Sequence, residues 1–285
     1  MIAFFRYDCA MLYSSVPDYH MHTPRCNHAS GTIMEYAEAA LRCGLHEIGI
    51  SDHCPMPHGF DAEWRMEADE LDGYLEEVQR VQAAMQPQGL IVRCGLEADF
   101  HPSATDYIQS LLTYHNWDYV IGSVHFIDDW GFDNPDEQTA WERWGINEAW
   151  CAYFDAVAAS ANAGLFDIIG HPDLLKKYGH KQPNHAMVHV AENRMLAAVK
   201  LANIALEISA AGLRKPIAEI YPRSSMVVKA AKLGIPFAYG SDAHAPQDVG
   251  HAMQECLQCL QQHNITHVAQ FSGRKRCMQE ITHVR

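Results

Sequence analysis

Basic residues are scarce in this sequence. It carries 21 Lys and Arg against 35 Asp and Glu, which gives a formal net charge of −14 at pH 7. A chain this acidic repels polyanions, so we expect no nucleic acid among its main partners. With 48% hydrophobic and 20% charged residues, the 285-residue sequence is typical of a globular protein and unlike a disordered or fibrous one.

The sequence also lacks the long apolar runs that membrane spans and secretion signals need. No uninterrupted apolar stretch approaches the roughly 18 residues of a membrane-spanning helix. Arg6 and Asp8 interrupt the apolar N-terminal residues, which makes them a poor secretion signal. The nine cysteines show no disulfide-like spacing, and Cys256 and Cys259 have no second pair to complete a zinc site. We therefore expect a cytoplasmic protein with reduced thiols and no membrane attachment.

Histidine, in contrast, is abundant. The sequence contains 18 histidines, as many as it contains glycines, although histidine is not among the commonest residues of globular domains. The histidines are scattered from His20 to His283 without any run, which argues against a tag as their source. Their positions relative to the predicted strands are therefore informative.

Short apolar segments alternate with longer helical patterns along the whole chain. The predicted strands, rich in Val, Ile, Phe and Tyr, are Tyr19–His22, Glu47–Ser51, Ile91–Glu97, Tyr119–His125, Asp167–His171, Ile204–Ser209 and Phe237–Ser241. The predicted helices are Gly31–Cys43, Glu67–Gln86, Ala149–Ala163, Asn184–Asn203, Pro222–Leu233 and Val249–His263. This alternation predicts an α/β fold with parallel strands, and seven strands suit a distorted seven-stranded (β/α)7 TIM-like barrel. A doubly wound open sheet is the alternative.

No linker divides the chain, so we expect a single domain over residues 1–285. It would consist of an N-terminal extension (1–16), a barrel (about 17–265) and a C-terminal segment (about 266–285). The one long irregular segment, Ile127–Ile146, carries Asp128, Asp129 and Asp133 beside Trp130. A long loop in a compact enzyme is often a lid, and we expect one here.

Imidazoles and carboxylates follow the ends of six of the seven predicted strands. They are His20, His22, Asp52, His53, Glu97, Asp99, His125, His171, Asp242 and His244. In a parallel barrel the carboxyl ends of all strands share one face, where the active site lies. Any one of these residues alone could be a capping group, but six converging sets predict a metal site.

The spacing within these pairs supports that interpretation. His20 and His22 are two residues apart, so on a strand both side chains point to the same face and can hold one cation. Asp242 and His244 repeat this spacing. Imidazole suits zinc, iron and related metals, and a carboxylate can bridge two of them. Two such ions can hold a hydroxide between them and stabilise a displacement at phosphorus.

Five separated motifs resemble, in order, those of the polymerase and histidinol phosphatase (PHP) superfamily. They are D-Y-H-M-H-T, S-D-H, G-L-E, S-V-H and G-S-D-A-H, and the resemblance extends from about Asp18 to Ala245. The segments H-F-I-D-D-W-G-F-D-N-P, L-E-I-S-A-A-G-L-R-K-P and E-I-Y-P are similar to the histidinol-phosphatase branch. The resemblance implies a distorted seven-stranded β/α barrel that holds a trinuclear metal site.

The resemblance also implies three groups of metal ligands. They are His20, His22, Glu97 and Asp242; Glu97, His125 and His171; and His28, His53 and His244. Glu97 would bridge two of the ions. His28 lies in a loop and is implied only by the family's six-residue interval after His22. Two or three divalent ions are expected, and zinc, iron and manganese remain open.

Phosphate binding requires cationic donors beside these metals. Arg214 is the first candidate, because arginine can form two parallel hydrogen bonds to phosphate and the family pattern places an arginine here. Lys176 and Lys177 follow the fifth predicted strand, and the sequence leaves open which of them contacts phosphate. Arg223, and Ser209 at the end of the sixth strand, are further candidates.

The function implied by the resemblance is metal-dependent hydrolysis of L-histidinol phosphate to L-histidinol and phosphate, a step of histidine biosynthesis. A metal-bridging hydroxide would attack phosphorus, Arg214 would stabilise the phosphoryl oxygens, and Asp242 or a water it holds would protonate the leaving oxygen. The substrate's amine and imidazole would require acidic or aromatic partners, for which the segment with Asp128, Asp129, Asp133 and Trp130 is the candidate. Alternatives are another small phosphoester such as a nucleotide, a non-catalytic metal-binding module, and hydrolysis of a C–N bond. The oligomeric state is left open.

Overall fold

The central element of the protein is a curled sheet of six parallel strands. The computed structural model describes residues 15–57 and 60–282. The described residues contain ten strands, which belong to three sheets. They are β1 Glu47–Ile50, β2 Ile91–Asp99, β3 Tyr119–Ser123, β4 Phe126–Ile127, β5 Trp130–Gly131, β6 Ile168–Ile169, β7 Ala205–Ser209, β8 Phe237–Gly240, β9 His267–Ser272 and β10 Lys275–Glu280. The central sheet has the order β1-β2-β3-β6-β7-β8, and β4-β5 and β9-β10 are antiparallel hairpins.

The strand order in the central sheet is the same as the order along the chain, apart from the β4-β5 hairpin. Every pairing within the sheet is parallel. A doubly wound sheet reverses its strand order part-way, and no reversal occurs here, so the alternative fold was wrong. The parallel strands place all their carboxyl ends at one edge, where the predicted ligands lie.

The predicted barrel with seven strands needs a correction at its first strand. The segment Tyr19–His22 makes only isolated parallel bridges, between Asp18 and Ile48 and between Met21 and Ala243. Its backbone hydrogen bonds alternate between the two edges of the sheet, because the Gly49 N–H of β1 donates to the Asp18 carbonyl at 2.8 Å while the Tyr19 N–H donates to the Tyr239 carbonyl of β8 at 3.1 Å. No continuous ladder to either edge strand therefore develops. The described sheet therefore has six strands and forms a half-barrel that is not closed.

Seven α-helices connect the strands in the described residues. They are α1 Ile33–Arg42, α2 Leu71–Met85, α3 Thr105–Tyr114, α4 Ile146–Asn162, α5 Ala186–Ala202, α6 Ser224–Leu233 and α7 Met253–Gln262. The six predicted helices are all present with ends shifted by a few residues. Thr32 and Glu35 form a capping box at the start of α1, as is typical of this spacing. Helix α3 was missed by the prediction, and of its ten residues Ile108 and Leu111 are buried.

The C-terminal hairpin covers the amino ends of the strands, opposite the predicted ligands. Phe271 of β9 packs against two tyrosine rings, and its ring centroid lies 5.9 Å from that of Tyr19 and 6.4 Å from that of Tyr119. Tyr119 donates a hydrogen bond from its hydroxyl to the Tyr19 carbonyl at 2.6 Å. The predicted C-terminal segment thus covers the core at the amino ends of the strands. The division of the chain into one domain stays a prediction, and residues 1–14 of the proposed extension lie outside the described residues.

The lengths of the helices and the state of the cysteines can be read from the described residues. None of the helices in the described ranges is long and apolar enough to cross a membrane. Every cysteine described in the structure is a free thiol, and Cys256 and Cys259 lie in α7, one buried and one half-buried.

The ring of Tyr119 packs so closely against Gly49 of β1 and Gly95 of β2 that neither position has room for a Cβ. A Cβ on Gly95 would lie 2.5 Å from Tyr119 Cζ, a distance at which β2 or the ring must shift. We expect Gly95→Ala to lower the free energy of unfolding by about 1–3 kcal/mol, measured by urea denaturation. Gly73 of α2 is the matched control, because a Cβ there would meet nothing closer than Arg25 Nη2 at 3.8 Å. Gly73→Ala should instead stabilise the protein by about 0.5–1 kcal/mol, and equal effects of the two substitutions would contradict this packing.

Candidate metal centre

Most of the predicted metal ligands line one cavity at the carboxyl ends of the central strands. The cavity has a volume of about 390 Å³. Seven predicted ligands lie in its wall: His28, His53, Glu97, His125, His171, Asp242 and His244. His20 and His22, the other two, are buried and contact Glu97. The structure thus brings all nine predicted ligands together.

The carboxylate of Glu97, in β2, is at the centre of this group and is 1% exposed. Three imidazole nitrogens surround its Oε2: His20 Nε2 at 3.3 Å, His22 Nε2 at 3.5 Å and His53 Nδ1 at 3.0 Å. Two others face its Oε1: His171 Nε2 at 3.1 Å and His125 Nε2 at 3.8 Å. Because each oxygen faces a different set of imidazoles, Glu97 is placed as a carboxylate that bridges two cations would be.

Asp242 follows β8 and contacts two of the predicted groups. Its Oδ1 lies 3.1 Å from His22 Nε2 and 3.5 Å from His244 Nδ1. Asp242 has a φ of 52°, and His171 has a φ of 21°. For a residue other than glycine, this left-handed conformation costs about 1–2 kcal/mol of conformational free energy. Such strain is common at functional sites.

His28 and His244 show a contact that calls for a cation. Their Nε2 atoms are 2.9 Å apart, while the Nδ1 atoms donate to the carbonyl oxygens of Cys26 and Asp242 at 2.7 and 3.0 Å. A carbonyl only accepts, so both Nδ1 atoms carry the hydrogen and the two Nε2 lone pairs face each other. Burial and the neighbouring His53 lower the pKa of His28 to about 4, so a proton does not resolve this contact at neutral pH. A metal ion bound by both nitrogens would.

The pKa values of His53 and His244 are lowered in the same way. Burial is the main cause for both residues, and the nearby His22 imidazole adds to it. His28, His53 and His244, the third predicted group, therefore lose their protons more readily than an ordinary imidazole does. Neutral imidazole is the form that binds a metal.

Carboxylates contact the Nδ1 atoms of three predicted ligands, His20, His22 and His125. Glu207 Oε1 is 2.6 Å from His20 Nδ1, and Asp52 Oδ1 is 3.4 Å from His22 Nδ1. Asp99 likewise pairs with His125 Nδ1, and Arg65 Nη2 contacts the same carboxylate at 2.6 Å. Such partners leave the Nε2 atom free to face a metal and orient the ring.

Glu207 was missed by the sequence analysis, which treated its strand as the one without a functional acid. The signal was present, because Glu207 is the one charged residue within the apolar strand A-L-E-I-S. Asp52 and Asp99 were recognised at strand ends, although their role as partners of His22 and His125 depends on the tertiary structure.

Around Glu97 and Asp99, buried carboxylates and imidazoles stabilise each other's charged forms. Burial raises the pKa of Glu97, but the adjacent His53 and His20 imidazoles outweigh burial and hold that pKa well below its usual range. Burial lowers the pKa of His125, but the Asp99 carboxylate outweighs it and raises that pKa to about 10. The pKa values of His20 and His22 are also raised, against the effect of burial, by neighbouring carboxylates. Without metals, these imidazoles carry protons at neutral pH.

The donors in this cavity fit divalent metal ions. Three atoms at its centre are buried without a hydrogen-bond partner: His20 Nε2, His53 Nδ1 and Glu97 Oε2. Buried polar atoms normally have a partner, and a cation among these atoms would supply one. Imidazole with carboxylate is a donor set that zinc, iron and manganese accept.

Arg214 lines the same cavity. Its Nη2 donates to the carbonyl oxygens of Ser241 and Asp242, both at 2.8 Å. Its Nη1 is buried and has no hydrogen-bond partner. The backbone contacts fix the guanidinium beside the predicted ligands, and the remaining N–H group is available for an anion.

The two candidate lysines lie in different surroundings. Lys177 lines the cavity and donates to the Asp133 carbonyl at 2.9 Å. Lys176 is 1% exposed and lies 2.9 Å from the Asp173 carboxylate, and it also donates to the Ile220 carbonyl at 2.8 Å. Lys176 therefore serves a buried ion pair, and its predicted contact with phosphate does not agree with its position.

Arg223 and Ser209 also lie outside the cavity, in disagreement with their predicted role. Arg223 Nη2 lies 2.9 Å from Glu192 Oε2, so the guanidinium neutralises a buried carboxylate of α5. Ser209 is fully buried, and its Oγ accepts the Ala211 N–H at 3.2 Å. Both side chains are used to hold secondary-structure elements in place.

The acidic side chains of the segment after β3 line two different cavities. Asp133 lines the main cavity, whereas Asp128 and Asp129 line a separate cavity with Trp130. Of the residues in this segment that were considered for binding the substrate's amine and imidazole, Asp133 therefore reaches the main cavity, whereas Asp128, Asp129 and Trp130 do not line it. Lys215, which the sequence analysis did not single out, does line the main cavity, and burial lowers its pKa.

Comparison with protein-family models identifies the group of proteins to which the chain belongs. The model described as the PHP domain matches residues 18–211, more than half of the chain. The chain belongs to the PHP family. A second model, described as PHP-associated, matches residues 229–257, so the resemblance noted in the motifs is confirmed.

Relatives within the PHP family are similar to nearly the whole chain. A protein of Deinococcus radiodurans named "Probable histidinol-phosphatase" is 45% identical over 84% of this chain and 90% of its own length. The histidinol-phosphatase of Bacillus subtilis is 31% identical over 85% of this chain and 98% of its own length. A structure of histidinol phosphate phosphatase from Lactococcus lactis, described as complexed with zinc, L-histidinol and phosphate, has a TM-score of 0.81. It covers 92% of this chain and 99% of its own at 22% identity, so it shows that the fold is shared.

The raised pKa values of His20, His22 and His125 lead to a prediction about metal loading. A raised pKa means that the imidazole still carries its proton near neutral pH, and a metal must displace that proton to bind. We therefore expect Zn²⁺ binding to the metal-free protein to release protons and to weaken as the pH falls. Titration calorimetry at about pH 7 in two buffers of different ionisation enthalpy measures this release. Identical binding enthalpies in the two buffers would contradict the protonated state of these imidazoles.

Proposed function

We propose that this chain is a metal-dependent histidinol-phosphatase, which hydrolyses L-histidinol phosphate to L-histidinol and phosphate. The observation that carries the proposal is that seven predicted metal ligands and Arg214, whose Nη1 has no hydrogen-bond partner, line one cavity, while His20 and His22 contact Glu97 behind it. The relative that is 45% identical and has a matching length bears the name of the same activity. The cavity, at about 390 Å³, has the size of a site for a small molecule.

Three groups of side chains would hold the ions. We place one ion among His20, His22, Glu97 and Asp242, a second among Glu97, His125 and His171, and a third among His28, His53 and His244. The contacts of Glu97 with both of the first two groups, and the facing nitrogens of His28 and His244, support this assignment. Zinc is a reasonable occupant because the Lactococcus lactis protein, which shares the fold, is described with zinc.

Bound divalent ions would supply Lewis acidity and lower the pKa of a water molecule. The side chains would do the rest. The Nη1 of Arg214 would donate to a phosphoryl oxygen and hold it in place, as transfers of a phosphoryl group require. Lys177 would add a second positive charge on the same cavity wall.

Asp242 would move the proton during hydrolysis. Burial raises the pKa of Asp242, but the adjacent His20 outweighs burial and keeps the pKa well below its usual range. The carboxylate is therefore ionised at neutral pH, and it would accept a proton from the attacking water before returning it to the leaving alkoxide oxygen. Asp133, which reaches the cavity, would accept hydrogen bonds from the amine or imidazole of the substrate.

Loss of a metal ligand should abolish the activity. We expect Glu97→Ala and His20→Ala each to lower the rate of phosphate release from histidinol phosphate by at least about a hundredfold, because the ions share these ligands. The unsubstituted protein should hydrolyse histidinol phosphate well above a panel of mononucleotides. A preference for a nucleotide would instead indicate a related phosphatase, and near-normal turnover in both variants would overturn the metal mechanism.

Substitution of the two arginines should separate phosphate binding from structural ion pairing. We expect Arg214→Gln to lower kcat/KM for histidinol phosphate by roughly a hundredfold, because a hydrogen bond to the phosphoryl oxygen is lost. Arg223→Gln is the matched control, since Arg223 pairs with Glu192 outside the cavity. It should lower thermal stability but leave kcat/KM close to normal. An equal loss of activity in both variants would contradict the assigned role of Arg214.

A further inference from the structure

Glu207 is a buried acid that neither lines the cavity nor belongs to the predicted ligands. It lies in β7, two residues before the carboxyl end of that strand, and is 1% exposed. We propose that Glu207 is a positioning residue for the metal centre, which holds two ligands on opposite sides of Glu97 through its two carboxylate oxygens. The inference rests on the proposed metal-dependent function.

The first contact of Glu207 concerns the His20 ring. Glu207 Oε1 lies 2.6 Å from His20 Nδ1, and the other ring nitrogen, Nε2, lies 3.3 Å from Glu97 Oε2. A carboxylate at Nδ1 selects the tautomer with its hydrogen on Nδ1. The lone pair of Nε2 is then directed toward the predicted metal position.

The second contact concerns the backbone of His171. The N–H of His171 donates to Glu207 Oε2 at 2.6 Å. His171 has a φ of 21°, a conformation that is costly for a residue other than glycine and that needs support from its surroundings. This hydrogen bond fixes the backbone from which the ring extends, and His171 Nε2 lies 3.1 Å from Glu97 Oε1. One carboxylate thus orients a ligand on each oxygen of Glu97.

The neighbouring strand makes room for this arrangement. A Cβ on Gly240 of β8 would lie 2.0 Å from Glu207 Oε1 and 2.7 Å from His20 Cβ. No side chain larger than hydrogen can therefore occupy position 240 while Glu207 contacts His20. Glycine within a strand commonly marks such a close approach.

The geometry requires a carboxylate rather than an amide at position 207. His20 Nδ1 and the His171 N–H are both donors, so both terminal atoms of residue 207 must accept. Glutamine has the same shape but offers one acceptor and one NH₂ donor. Either orientation of the amide places a donor against a donor, unless His20 moves its hydrogen to Nε2. That shift would occupy the nitrogen that faces the metal position.

The test is Glu207→Gln, with Glu192→Gln as the matched control. Glu192 is also fully buried, but it lies in α5 and accepts from Lys229 and Gln182, away from the cavity. Zinc affinity is measured by competition with a chromophoric chelator, and the number of ions retained is measured by elemental analysis. We expect Glu207→Gln to weaken zinc binding by roughly tenfold to a hundredfold and to retain fewer ions. Glu192→Gln should match the unsubstituted protein in both measurements.

Thermal unfolding of the metal-free proteins separates this effect from a general loss of folding. The inference predicts that metal-free Glu207→Gln unfolds cooperatively, as metal-free Glu192→Gln does, and differs from it in metal affinity. Normal zinc affinity and ion number in Glu207→Gln would overturn the inference, as would an equal loss in both variants. Failure of the unsubstituted protein to bind metal would instead overturn the proposed function itself, so the two failures are distinguishable.

Discussion

The ionised carboxylate of Glu97, buried among five imidazoles, is the interaction on which the rest of the site depends. Transfer of an isolated carboxylate from water to a protein interior is very costly unless cations compensate it. The chain supplies this compensation from several directions, because the segment around His20, the end of β1 and the ends of β3 and β6 all direct ring nitrogens at Glu97. The parallel sheet is the element that allows it, since only its common edge brings side chains so distant in sequence within about 4 Å of one carboxylate.

The close packing of imidazoles around Glu97 also creates repulsion between them, which bound metal ions would remove. Protonated imidazoles repel one another, and neutral ones place lone pairs face to face, as His28 and His244 do. Divalent cations resolve both problems, because they replace several protons with concentrated charge and use the lone pairs directly. The strained backbone at His171 and Asp242 indicates that the fold maintains this arrangement at some expense of stability, as functional sites often do. Glu207 and Asp99, which hold the outward nitrogens of His20 and His125, are part of that support.

Much of the site followed from residue types at strand ends. The two-residue spacing of His20 and His22 and the position of Glu97 after an apolar run were sufficient to place them at one edge of a sheet. His28 was different, because it lies in a loop and only the family resemblance pointed to it. Lys176 and Lys177 are neighbours in sequence, and nothing in the pattern shows that Lys176 turns toward the Asp173 carboxylate while Lys177 lines the cavity. The number of strands was overestimated for a related reason, since the residues before Thr23 have a strand-like pattern but form only isolated bridges.

The sequence by itself determined the α/β class, the order of the elements and the identity of the groups that meet at the site. These properties depend on local apolar periodicity and on the rule that parallel strands share their carboxyl ends. Only the tertiary structure decided which nitrogen of each histidine faces inward, which cations reach the cavity and why Glu207 is present in an apolar strand. Those properties depend on hydrogen bonds between residues far apart in the chain, such as Glu207 with His20 and with His171, and no local pattern encodes such pairings.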